Sequence, residues 1–290
     1  MLLLIPLGPE DRSLRAPRVT LALMAVNLVV FLWTARLDAS GAAATDAKLR
    51  RVAEWTLRLA DQQAPGLVQR AGAYDSPLTF LQRDPHWRRE VQSAELRERL
   101  EACLEDAGRL RSGHPFYAYG FVPAEISLRR LLAHQFLHAD VFHFGFNMLF
   151  LWAVGGLLEL TLGAALFAPA YLLCGVVAAL GHAAFHPAST EPAIGASGAV
   201  AGAMGMFAVR HGRQPVRLAF VAMLALSPRI FFLSWPAYVF LGLWLLEQVF
   251  YASFGLASLG IAFWAHIAGF GCGMLLALAL RFARGAPAET

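Results

Sequence analysis

Six apolar runs, at residues 19–35, 141–160, 164–185, 197–209, 235–252 and 256–280, constrain this chain more than anything else in its sequence. Several reach the 17–25 residues a helix needs to cross roughly 30 Å of bilayer hydrocarbon. In lipid every backbone N–H and C=O must find its partner inside the protein, so such runs fold as helices. The chain is 58% hydrophobic and only 15% charged, a departure from soluble usage in the same direction. The expected fold is an all-α polytopic membrane protein. A further apolar stretch, 216–233, contains Arg217 and Arg229 and is interrupted by Pro228, so it reads as re-entrant or interfacial rather than as a seventh span. Met1–Leu7 is too short for the apolar region of a signal peptide.

Arginine placement sets the orientation. Arg12, Arg15 and Arg18 precede the first run, Arg210, Arg213 and Arg217 follow the fourth, and Arg281 and Arg284 follow the last. By the positive-inside rule both termini and the loop after Arg210 face the cytoplasm, which requires an even number of spans. The net charge of +4 is thereby explained without a nucleic-acid partner. Lys48 is the only lysine, and alanine is abundant; together they point to a GC-rich bacterial genome and so to a bacterial inner membrane. Cys103, Cys174 and Cys272 show neither a disulfide framework nor metal-type spacing.

The expected organisation is a cytoplasmic N-terminus (1–18), a first membrane helix (19–36), an extramembrane helical insertion (37–120), a core with five membrane helices (121–283) and a cytoplasmic tail (284–290). Within the insertion, 46–63 and 86–111 carry apolar residues at helical spacing with Arg and Glu between them. Pro65-Gly66, Ser76-Pro77 and Ser112-Gly113 punctuate them. The insertion reads as a structural lobe, with reception of substrate as the other reading.

Polar side chains inside the apolar runs carry the chemistry, because they are costly there. Ser197 lies thirteen residues before Arg210, a rise of roughly 20 Å. His266 lies fifteen residues before Arg281, roughly 22 Å, and Asn147 thirteen before Leu160, roughly 20 Å. Three helices thus bring a serine, a histidine and an asparagine to nearly one depth. A serine hydroxyl needs an adjacent base to act as a nucleophile, and His266 is the candidate. The oxyanion of amide cleavage needs donors, for which His143, Asn147 (one helical turn apart) and the Ser197 backbone N–H are candidates. No carboxylate stands at this depth, so a dyad is expected rather than a triad.

Each residue has a plainer reading. Gly195-Ala-Ser197-Gly198 with Gly202, and Gly269 with Gly273, are compositions of close helix packing. His134, His138 and His143 suggest a metal site, but no carboxylate or cysteine joins them at matching spacing. A structural role for His134 and His138 is expected, with no metal and no organic cofactor.

At these residues the chain resembles the rhomboid family of intramembrane serine proteases. The resemblance covers about Phe121–Leu280. It is carried by His134-x3-His138-x4-His143-x3-Asn147, Gly155-Gly156-x2-Glu159, Gly195-Ala-Ser197-Gly198 and Ala265-His266-x2-Gly269-x3-Gly273. It implies a six-helix bundle with Ser197 as nucleophile, His266 as general base, and His143 and Asn147 in the oxyanion hole. The implied partners are the lipid bilayer and single-span membrane proteins, cut in or near their membrane segments. Two positions depart from the family pattern. Arg129-Arg130 stands where Trp-Arg is usual, and Ala201 stands where an aromatic residue usually packs on the histidine, which implies a less rigidly oriented base. Other readings are a catalytically silent relative that binds transmembrane segments, and a transporter using His143 and His266 as a proton relay. The intact Ser197 and His266 oppose the first, and the lack of internal repeats opposes the second.

Overall fold

The computed structural model describes residues 2–9, 16–37, 39–74, 76–224, 227–254 and 261–283. In chain order it contains β1 (Leu2–Pro9), α1 (Arg18–Arg36), α2 (Ala39–Asp61), α3 (Leu67–Ala71), α4 (Pro77–Arg83), α5 (Trp87–Glu90), α6 (Ala94–Gly113), α7 (Pro115–Tyr119) and α8 (Leu128–Ala133). A helix built from α9 (Val141–Phe150), a π turn (Leu151–Gly155) and α10 (Gly156–Leu162) follows. Then come α11 (Ala164–Phe185), α12 (Ser197–His211), β2 (Pro215–Leu224), β3 (Ser227–Pro236), α13 (Ala237–Ser253) and α14 (Phe263–Ala283). The chain divides into two compact units, one of residues 1–30, 138–185 and 195–290, the other of residues 31–137 and 186–194.

The first unit holds the membrane helices, α1 as far as residue 30. Arg18–Arg36, Val141–Leu162, Ala164–Phe185 and Phe263–Ala283 are long and apolar enough to span a bilayer, which makes this a multi-pass membrane protein. Their outward faces are apolar: Val29 is 66% exposed and Leu275 69%, a surface suited to lipid rather than water. Helix α13, of 17 residues, and α12, of 15, are shorter. Helix α12 is buried continuously from Gly198 to Phe207, so it forms the centre of this unit. It reaches that position through glycine. A methyl group at Gly273 would overlap the Gly202 carbonyl, one at Gly269 the Gly198 carbonyl, and one at Gly205 the Phe270 carbonyl. Backbones of α12 and α14 are therefore in contact along a seam, the packing read from the Gly269–Gly273 pair.

Glu159 also has a structural reason. Its carboxylate accepts from the backbone N–H groups of Val19 and Thr20 at 2.8 Å each, and from the Thr20 hydroxyl at 2.9 Å. It thus satisfies the free N–H groups at the start of α1 and places negative charge at the positive end of the helix dipole. Gly155, on the same helix face, leaves room there for the Thr20 side chain.

Two expectations are corrected. The protein is mostly helical rather than all-α, because β1, β2 and β3 form a three-stranded antiparallel sheet in that order. Of residues 216–233, expected to be re-entrant or interfacial, 216–224 and 227–233 lie in the β2–β3 pair, in register from Pro215 opposite Pro236 to Leu224 opposite Ser227, and 225–226 lie outside the described residues. Pro228 and Pro236 oppose a continuous helix there, whereas strand ladders tolerate proline at their ends. Residues 256–260, at the start of the last expected span, and the expected tail at 284–290 lie outside the described residues.

The second unit is a small helical domain. Leu57, Leu67, Leu78, Phe80, Leu81, Trp87 and Leu100 form its fully buried centre, and the Trp87 indole donates to the Leu81 carbonyl at 2.8 Å. The helix expected over 86–111 is divided, because Ser93 caps α6 by accepting from Leu96 N–H. Residues 186–194 belong to this unit through several polar contacts. Phe121 and Ala193 exchange backbone hydrogen bonds of 2.9 and 2.8 Å, the Thr79 and Thr190 hydroxyls lie 2.9 Å apart, and Glu191 pairs with Arg50 and Arg111.

Candidate active site

Ser197 occupies the first position of α12, immediately after Gly195 in a left-handed conformation (φ 125°) and Ala196. Glycine is required at 195 on two counts. The backbone there disfavours any side chain, and a methyl group would lie 2.7 Å from His143 Nε2. At the start of α12 the backbone N–H groups have no carbonyl four residues earlier in the helix, and the helix dipole is positive. A hydroxyl placed here has donors for negative charge close by.

His266 lies in the first turn of α14. Its Nε2 is 3.0 Å from Ser197 Oγ, and its Nδ1 is 2.7 Å from Gln248 Oε1. Serine and imidazole are therefore within hydrogen-bond reach without movement. Trp244, one turn before Gln248 on α13, sets its ring 5.8 Å from the imidazole at an interplanar angle of 35°. Gln248 is 6% exposed, so its amide is a buried polar group that needs the partner it has.

His143 is placed by the start of α9. Asp140 caps that helix, accepting from Phe142 N–H at 2.8 Å and His143 N–H at 2.9 Å. The Ala139 N–H approaches His143 Nδ1 at 3.5 Å, which assigns the proton of the neutral ring to Nε2, the nitrogen beside Gly195. Asn147 is buried one turn further on, where its Nδ2 donates to the His143 carbonyl at 2.8 Å and retains a second N–H. The structure thus brings together Ser197, His266 and His143; Asn147 is tied to the His143 turn.

The remaining histidines have local partners. His138 packs edge-on against His143 and Phe144, with ring centres 5.2 and 5.5 Å away. His134 Nδ1 lies 2.9 Å from the Arg130 carbonyl, and burial pushes its pKa down to about 4. Among the described residues no group of three or more His, Cys, Asp or Glu is arranged to hold a metal ion.

Sequence reasoning passed over Gln248. Its signal was present: Glu247-Gln248 are the only charged or amide residues in the apolar run 237–253, and polar groups in such runs call for a partner. Gln248 and Trp244, both on α13, make the hydrogen bond to His266 Nδ1 and the ring contact described above. Ala201 itself is fully buried in α12.

Comparison with known proteins identifies a family. A family model described as a rhomboid domain matches residues 126–282, more than half of the chain. The rhomboid protease GluP of Bacillus subtilis (strain 168) is 38% identical over 76 residues, 26% of this chain and 14% of that protein. The match therefore spans about a seventh of that relative's length.

Proposed function

This chain belongs to the rhomboid family, and we propose that it is an intramembrane serine endopeptidase that hydrolyses peptide bonds in or near transmembrane segments of membrane proteins. The reading assigns nucleophilic attack to Ser197 and general-base catalysis to His266. The observation that carries it is the 3.0 Å contact between His266 Nε2 and Ser197 Oγ, made by residues from two helices locked together by glycine.

The chemistry follows from the contacts. As Ser197 Oγ bonds to the scissile carbonyl carbon, its proton passes to His266 Nε2. The carbonyl π electrons move to oxygen, and the oxyanion meets the Ser197 N–H and the His143 Nε2–H, with Asn147 as a further donor. Collapse breaks the C–N bond, and the imidazolium returns the proton to the departing amine. Water then repeats the sequence on the acyl-enzyme and frees Ser197.

The expected substrates are single-span membrane proteins. Their backbone must unwind locally to reach Ser197, because helical amides are already hydrogen-bonded, so glycine or proline near the cut favours cleavage. In this reading α12 and α13 join the four longer helices as a six-span bundle in a bacterial inner membrane, with both termini cytoplasmic. The deciding experiment is labelling of detergent-purified protein by a fluorophosphonate, alongside cleavage of a single-span substrate. Wild type is expected to label and cleave, and Ser197→Ala and His266→Ala to do neither. Labelling of wild type no stronger than of Ser197→Ala would remove the protease reading.

A further inference from the structure

A histidine that serves as base must present the lone pair of one nitrogen to the nucleophile, which requires its proton to sit on the other. Isolated neutral imidazole exchanges between these two tautomers, and the hydrogen bond made by the second nitrogen decides which one is held. Here the second nitrogen, His266 Nδ1, faces the side-chain oxygen of Gln248 at 2.7 Å. An amide oxygen only accepts, so Nδ1 is the donor and Nε2 keeps its lone pair toward Ser197 Oγ at 3.0 Å.

We propose that Gln248 is the positioning residue of this site, holding His266 through its Nδ1–H in the tautomer and ring orientation that accept the Ser197 proton. The inference rests on the protease reading above. Three further observations support it. Gln248 is buried in a helix that is apolar apart from its exposed neighbour Glu247 and a few hydroxyls, where a buried amide is costly unless its hydrogen bonds are made. Trp244, at the preceding turn of α13, bounds the ring on one side, so two residues of one helix face control both tautomer and tilt. Ala201 on α12 is fully buried and, with only a methyl group, has no hydrogen bond to offer the imidazole. An amide also orients the ring without burying a negative charge beside a lipid-embedded site, where a carboxylate would have to be desolvated.

A role in positioning is separable from a role in packing. Gln248→Leu keeps the volume and removes the acceptor. Its kcat on a single-span substrate is expected to fall about 10- to 100-fold with KM unchanged, because substrate binding does not involve this amide. Gln248→Glu restores an acceptor and adds charge. It is expected to recover most of the lost kcat at alkaline pH, while the acid limb of its kcat/KM profile moves upward by about one pH unit or more, since a carboxylate favours the imidazolium. His143 on α9 and His182 on α11 are the other titratable groups that act on His266, and both are the same in every variant, so the movement reports on position 248. Nitrogen-15 NMR of histidine-labelled wild type needs no variant to fold: His266 is expected to carry its proton on Nδ1. Wild-type kcat in a folded Gln248→Leu, or a proton on Nε2 in wild type, would overturn the proposal. A wild type that fails to label with fluorophosphonate overturns the protease reading instead, and the NMR assignment still tests the Gln248–His266 bond.

Discussion

Gly195 illustrates how little freedom the site allows a single residue. Alanine there meets both an unfavourable backbone conformation and the His143 ring, and such strain costs roughly 1–3 kcal/mol. Gly195→Ala is expected to lower kcat/KM at least about tenfold while the protein still folds, which thermal unfolding and substrate cleavage measured on the same sample would check. In the proposed mechanism His143 donates to the oxyanion, so His143→Ala is expected to lower kcat roughly 10²-fold with little change in KM. Ser197, His266 and His143 were legible in the sequence because each interrupts an apolar run, and counting residues to the nearest arginine placed two of their helices at a common depth. Gln248 was not read, although it interrupts a run too. Glutamine beside Glu247 in a helix resembles an interfacial turn, and only the fold shows that its partner is His266, on another helix.

At the scale of elements, the α12–α14 seam yields a prediction with its own control. Gly273→Ala pushes a methyl group into the Gly202 carbonyl, whereas a methyl at Gly271, two residues earlier on the same helix, meets nothing within 4 Å. Overpacking of this kind costs about 1–3 kcal/mol, so Gly273→Ala is expected to lower Tm by several degrees and Gly271→Ala to leave it within a degree or so. The seam was readable because small residues four apart have one common use in membrane helices. The β-sheet was not. Apolar segments of eight to ten residues suit strand and helix alike, and β1 finds its partner in β2 more than 200 residues later.

At the scale of the whole molecule, the second unit has chemistry of its own that bears on its stability. His134 is held neutral by burial, with its pKa near 4 against 6.5 when exposed. The unfolded chain therefore binds the proton first as pH falls, so the stabilisation is complete above about 6.5 and is lost progressively towards pH 4, to the extent of roughly 3 kcal/mol. Amide protection factors in α8, with the intrinsic pH dependence of exchange divided out, are expected to fall between pH 7 and pH 4.5, and His134→Asn to flatten that dependence. Glu191 offers a second handle. It joins Arg50 and Arg111 and accepts from the Ser76 hydroxyl at 3.2 Å, all within this unit. Glu191→Ala leaves two arginines without that partner and is expected to open residues 186–194 to proteolysis several-fold faster, with the Trp87 centre unchanged by fluorescence. None of these pairings had a local signature, since Glu191 meets its partners across 80 to 141 residues of sequence.

Backbone contact along α12 and α14 also dictates how this site fails. Two helices touching through glycine cannot drift past each other by small amounts: a shift of one residue moves 1.5 Å and turns the contacting face by about 100°, and the next equivalent seating is a full turn, about 5.4 Å, away. The pair formed by Ser197 and His266 is then either seated or lost. Disturbing the seam should divide the population into fully competent and dead molecules rather than slow every molecule equally. Titrating Gly273→Ala with a fluorophosphonate would display this as a smaller labelled fraction that still reacts at the wild-type rate.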